Sequence, residues 1–231
     1  MATIKEIVYD IKNLIRGGMQ SDDEIISDRQ VEFQINSLRA QYIRQDINKR
    51  RSISSNIRQL LHCVDLEPVS GDTCGLSKDI NILRSKVQIP NAIETSHEDL
   101  ITAIGPTGIL STNFHTIDYN RVPWAGVNKY TKRMTFAFVL DNFVYVFGPE
   151  SKYLQKIKVE GVFQNPRKVS NFVNADGLPS YDPDNDDYPL STSMLDLIKQ
   201  NMLAQNMKPF IETLTDSSNN SKSDLQPNAQ K

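Results

Sequence analysis

Six basic side chains lie close together in the first quarter of the chain: Arg39, Arg44, Lys49, Arg50, Arg51 and Arg58. Cations at that density suit phosphates or the acidic surface of a protein partner. Between residues 28 and 58, seven basic residues stand against three acidic ones. A solvated helix face has the same composition, and the interleaved aromatics of a base-stacking platform are missing from the segment. A second candidate is Asp182-Pro-Asp-Asn-Asp-Asp187, with carboxylates at 182, 184 and 186 as at the start of a calcium-binding loop. Divalent-cation binding, or hydrolysis assisted by a metal, would be its chemistry. The pattern then breaks, because position six is Asp187 instead of glycine and position twelve is Ser193 instead of glutamate. Paired carboxylates at Asp22-Asp23-Glu24 and Glu98-Asp99 fall in polar stretches, where nothing would raise a pKa for acid catalysis.

The remaining reactive residues lack partners at working spacing. His62, His97 and His115 have no second ligand nearby except Cys63, and neighbours on a strand point to opposite faces. Cys63 and Cys74 do not form the C-x-x-C pair of zinc or redox sites and read as free thiols. Gly105-Pro-Thr-Gly108 lacks the lysine and hydroxyl ending of a phosphate-binding loop. No G-x-S-x-G elbow exposes a serine nucleophile. No catalytic residue, cofactor or metal is expected. Trp124, behind Pro123, is read as a hydrophobic plug in the core, with an interface anchor as the alternative.

These side chains sit on a chain of 231 residues with 26 basic and 28 acidic residues, net charge −2. That length buries a core without disulfides or metals. The charge balance excludes a global basic field for nucleic acid. No apolar run approaches the roughly 18 residues of a membrane span, so no membrane partner is expected. The N-terminal residues lack the basic and apolar regions of a signal peptide, and with two unpaired cysteines this fits synthesis in a reducing cytosol.

Thr3 and Glu6 form a capping box, and Ile4, Ile7, Val8, Ile11, Leu14 and Ile15 recur at helical spacing up to Gly17-Gly18. A second helix is predicted from Asp28 to about Asn48. Ser27 caps it, Gln30 stands at N3, and Ile26 and Val31 can form a hydrophobic staple. Val31, Ile35, Leu38 and Tyr42 are its apolar stripe. From Gln59 the period changes to two, with Leu60, His62, Val64 and Leu66 on one strand face. Weaker strands follow at 80–89 and 100–104. Residues 133–147 read as a hairpin. Asp141-Asn142 is its two-residue turn, pairing 140 with 143, 138 with 145 and 136 with 147, so that every large side chain shares one face. That face is expected to be core. Another strand is predicted over 153–163, a loop over 174–189, and a helix over 193–207 with Leu195, Ile198 and Met202 inward. The expected fold is α+β: N- and C-terminal helices form a helical bundle, with an inserted antiparallel β-rich domain and a polar, extended C-terminal tail. The units are a helical hairpin over 1–58, a β-rich domain over 59–173, an acidic loop over 174–190, a packing helix over 191–208, and a tail over 209–231 ordered only by partners.

The segment Ser27-Asp-Arg-Gln-Val-Glu-Phe-Gln-Ile-Asn-Ser-Leu-Arg-Ala-Gln-Tyr-Ile-Arg-Gln-Asp46 resembles the second helix of a group of phage structural proteins. These are the ring, or head–tail connector, proteins of crAss-like podoviruses and related tailed phages. Asp79 to Pro90, Ile101 to Trp124, the Phe136 to Phe147 hairpin and Tyr188-Pro-Leu190 fit the same layout. The resemblance implies a non-enzymatic virion protein, without cofactor, that binds beneath the portal as a twelvefold ring. Its partners would be other copies of itself, the portal protein, neighbouring ring or tail proteins, and genomic DNA in the channel. A head-to-tail contact closes into a ring when its rotation closes. Phe33, Ile43 and Ile47, outside the main stripe of the second helix, would give that helix a second apolar face for the ring wall. Arg50 and Arg51 would line the channel or meet the portal. The alternative function is nonspecific nucleic-acid binding by the basic helix 28–58.

Overall fold

A computed structural model describes residues 2–15, 26–49, 54–70, 82–95, 99–108 and 111–206. The fold is α+β: helices α1 (Ile4–Ile15), α2 (Asp28–Asn48) and α3 (Thr192–Asn201) flank a mixed seven-stranded sheet. Its strands are β1 (Gln59–Pro68), β2 (Ile82–Ser85), β3 (Ile101–Pro106), β4 (His115–Thr116), β5 (Phe136–Leu140), β6 (Phe143–Phe147) and β7 (Lys156–Gly161). The order is β3-β7-β1-β2-β6-β5-β4, antiparallel throughout except for the parallel pair β4 and β5. Gly17-Gly18, Arg50, Arg51, Cys74, His97, Pro209 and the polar tail lie outside the described residues.

The helix starts are made by the residues whose types announce them. Thr3 Oγ1 accepts from the Glu6 amide at 3.3 Å, and the Glu6 carboxylate accepts from the Thr3 amide at 2.8 Å. Ser27 Oγ accepts from the Gln30 amide, and Ile26 and Val31 are buried beside it. Ser191 caps α3 in the same way, and the chain continues past Asn201 as a π-helical turn, Met202–Asn206. Ile7 and Ile11 of α1, Val31, Ile35 and Ile43 of α2, Ile198 of α3 and Met202 of the turn after it share one apolar core with Ile93 and Val162. An Asp10–Lys199 ion pair ties α1 to α3, and Asn201 donates to the Tyr42 hydroxyl of α2. Leu14 departs from the expected stripe and is exposed. So does the proposed second apolar face of α2: Ile43 is core, Ile47 is partly buried against it, and Phe33 alone stands out, 68% exposed.

A second core fills the inner face of the sheet. β5 and β6 pair in the register the turn predicts, Phe136 with Phe147, Phe138 with Tyr145 and Leu140 with Phe143. Asp141 and Asn142 take φ of 52° and 62°, the left-handed values a two-residue hairpin needs. Past the second arm, Gly148 has φ 132° and passes so close to Met134 that a Cβ would sit 2.8 Å from its carbonyl oxygen. The aromatic face, however, is not the main core. Ala137, Val144 and Val146, the small residues between the aromatics, point into it with Val64, Leu83, Ile157, Val159 and Phe163. Strand β1 also departs from strict alternation. The register shifts between Leu61 and Val64, and Cys63 has φ 50°, marking a β-bulge. Leu61, Val64 and Leu66 are therefore buried, while Leu60 and His62 fall on the other side.

Candidate interaction surfaces

The basic cluster of α2 and its exit separates in three dimensions. Arg39 is 0% exposed and lies between the helical layer and the β-rich part. Its Nε donates to the Pro189 carbonyl and its Nη1 to the Phe163 carbonyl, both at 2.7 Å, and Nη2 reaches the Ile57 carbonyl at 3.4 Å. The guanidinium also faces the Tyr188 ring, 5.8 Å from its centroid. Burial pulls its pKa below the ordinary arginine value. Arg39 thus joins three chain segments internally and is removed from any contact with a partner or with DNA. The sequence carried the signal: Arg39 is four residues from both Ile35 and Ile43, inside the buried stripe.

Arg44, Lys49 and Arg58 stay at the surface, each with its own role. Arg44 donates to the Glu94 carbonyl at 2.9 Å. Arg58 pairs with Glu160 at 3.2 Å. Lys49 is the exposed C-cap of α2, where a cation complements the carbonyl end of the helix. Arg44, Lys49 and Arg58 remain candidate partner contacts. The acidic run closes on itself: the Asp182 amide donates to Asp186 Oδ2, the Asp184 amide to Asp182 Oδ1, and Asn185 Nδ2 to Asp182 Oδ2. The Asn185 side chain, with the Asp184 and Asn185 amides, holds the Asp182 carboxyl below its ordinary pKa. Asp184 pairs with Lys5 at 2.9 Å.

Tyr188 links this loop to α2. Its hydroxyl donates to Asn36 Oδ1 at 2.7 Å, and burial pushes its pKa up to about 12 from 10.0. The sign follows from the unfolded chain losing the proton first. Below pH 10 both states hold it, and from pH 10 to about 12 only the folded state does, so stability falls as pH rises through that window. Urea unfolding midpoints are expected to drop across it, and less steeply in Tyr188→Phe. Equal slopes for the two proteins would contradict the assignment.

The surface that sequence reasoning missed is a 15-residue arm, residues 119–133, between β4 and β5. It begins as a 3₁₀ segment, Tyr119–Trp124. Tyr119, Val122 and Pro123 lie over the outer, aromatic face of the sheet with Phe138, Tyr145 and Phe147. Phe138 and Tyr145 stack at 4.9 Å with an interplanar angle of 5°. Trp124 overturns its reading as a core plug, because it is 78% exposed. Val127 and Tyr130 follow it into solvent. Arg121, Lys129, Lys132 and Arg133 are exposed on the same arm, which holds no acidic residue. Arg121 pairs with Asp118, and Lys129 lies over the Tyr130 ring. Among the described residues, Lys129, Lys132 and Arg133 have no ion-pair partner. A large exposed apolar group in a basic setting marks an interaction surface. Among the described residues no helix is long and apolar enough to cross a membrane.

Compared with known proteins, the chain matches the family described as phage tail ring protein 2 over residues 6–225. No curated protein matches it.

Proposed function

This chain belongs to the phage tail ring protein 2 family, and on that premise we propose that it is a head–tail connector. Family membership makes it a structural protein of a bacteriophage virion that associates with itself and with other tail components. The finer reading is a non-enzymatic adaptor that closes as a twelvefold ring beneath the portal. There it extends the DNA channel and offers a docking surface to the next tail protein. The observation that carries the reading is a family match across nearly the whole chain. The exposed Trp124 arm adds to it, since a subunit of an assembly needs apolar surface that its own fold leaves uncovered. Arg44, Lys49 and Arg58, with Arg50 and Arg51, are proposed to face the portal or the channel. The 1–58 hairpin and the 191–208 helix are proposed as the ring body, and the tail from residue 209 as a segment ordered by a neighbouring ring.

Mixing the purified chain with the portal protein of the same genome and imaging the mixture by cryo-electron microscopy tests this. Added density closing as a ring at one end of the portal is expected. Unaltered portals at high protein concentration and low salt contradict the connector reading.

A further inference from the structure

We infer that the basic, aromatic arm 119–133 docks on the acidic loop 173–187 of a second copy of this chain, making the head-to-tail contact of the assembly. The inference deepens the ring reading above and rests on it. Charge complementarity selects the occupant. The arm carries Arg121, Lys129, Lys132 and Arg133 without an acidic residue, and the loop carries five aspartates, at 176, 182, 184, 186 and 187, without a basic one. Each side also presents apolar surface of its own: Trp124, Val127 and Tyr130 on the arm, Val173 and Leu178 on the loop. Apolar anchors ringed by opposite charge are the composition of a specific protein contact, the anchors giving affinity and the charges giving register.

The fold roots the two surfaces in different parts of one copy. The arm covers the outer face of β5 and β6. The first half of the loop is rooted in the inner-face core by Phe172 before it and Tyr181 after it, and the acidic run that follows lies by α1, where Asp184 pairs with Lys5. The first half is closed on itself by the Val173–Pro179 bridge and tied to β1 by the Ser180 hydroxyl, which accepts from the His62 amide. A contact between two different patches is heterologous, and repeating it gives a ring when the rotation closes.

Complementary charge reversal tests the contact. One variant carries Lys129→Glu, Lys132→Glu and Arg133→Glu; the other carries Asp176→Lys, Asp184→Lys and Asp187→Lys, enough to turn the loop net positive. Both sets of positions are exposed, and thermal unfolding of each variant checks that it folds. In sedimentation velocity up to about millimolar concentration, the wild-type chain is expected to associate. Each variant alone faces like charge with like and is expected to associate at least about tenfold more weakly. An equimolar mixture restores every contact in an alternating order and is expected to recover the large species. Variants that associate like wild type, a mixture that fails to recover, or a monomeric wild-type chain each overturn the inference. The arm's aromatics and cations also suit stacking on single-stranded nucleic acid. If the arm variant keeps self-association but loses salt-dependent binding to an oligonucleotide, the arm belongs to nucleic acid instead. Copy number in purified virions, by quantitative mass spectrometry, separates the two levels. A ring-like copy number with unaffected variants removes only this contact, whereas one or two copies per virion removes the ring reading itself.

Discussion

Replacing Arg39 by alanine is expected to lower the stability of the folded chain by about 3–5 kcal/mol. The guanidinium is fully buried, and among the described residues no carboxylate pairs with it. Its charge is instead spread over the carbonyls of Pro189, Phe163 and Ile57. Truncation leaves these acceptors without their donor, at about 1–3 kcal/mol for each one that finds no water, and opens a void among packed groups. The 3.4 Å contact to Ile57 is the weakest, which keeps the sum toward the stated range rather than above it. Arg39→Lys is expected to recover little. An ammonium on a flexible stem cannot present the planar fork that reaches three separate segments, nor lie as a plate near the Tyr188 ring. Urea unfolding measures both. A midpoint for Arg39→Ala within about 0.5 kcal/mol of wild type would mean that the three segments are joined by something else.

The second large effect separates folding from assembly within one layer. Phe138→Ala is expected to cost about 3 kcal/mol, the lower end of phenylalanine truncations in cores. The ring is 6% exposed, stacked on Tyr145 and tilted against Tyr119, but it sits under the arm instead of in the main sheet core. Trp124→Ala, only five residues after Tyr119, is expected to change stability by less than about 0.5 kcal/mol, because the indole touches mostly solvent. The same substitution is expected to weaken self-association. Should Trp124→Ala unfold the chain as readily as Phe138→Ala, the arm would be part of the fold and its exposed face no docking surface.

How much of this was legible beforehand varies with the range of the interaction that decides it. Capping at Thr3, Ser27 and the hairpin turn at Asp141-Asn142 depend on neighbours three or four residues away, and the residue types announced them. Hairpin register followed from the turn, yet the side facing the core did not. Alternation groups the aromatics on one face and says nothing about which face meets the larger body of the protein. Here the small residues Ala137, Val144 and Val146 face the core, where Phe163 and Phe172 already supply bulk. The bulge at Cys63 shifts the phase of β1 by one residue, and a period-two pattern cannot register a single inserted position. Arg39 is the reverse case. Its place on the α2 stripe was visible, but its charge argued for the surface, and only carbonyls 18, 124 and 150 residues away make its burial tolerable. Trp124 was misplaced for a related reason. A tryptophan is buried on average in an isolated fold, and a subunit that completes itself by association departs from that expectation.

Whether this chain works as a closed ring at the junction of head and tail is decided by a cryo-electron-microscopy reconstruction of the intact virion. A ring of this fold is expected beneath the portal, coaxial with the DNA channel, with the Trp124 arm of each copy against the acidic loop of the next. Density for this fold away from the portal axis, or as isolated copies without contact between them, would contradict it.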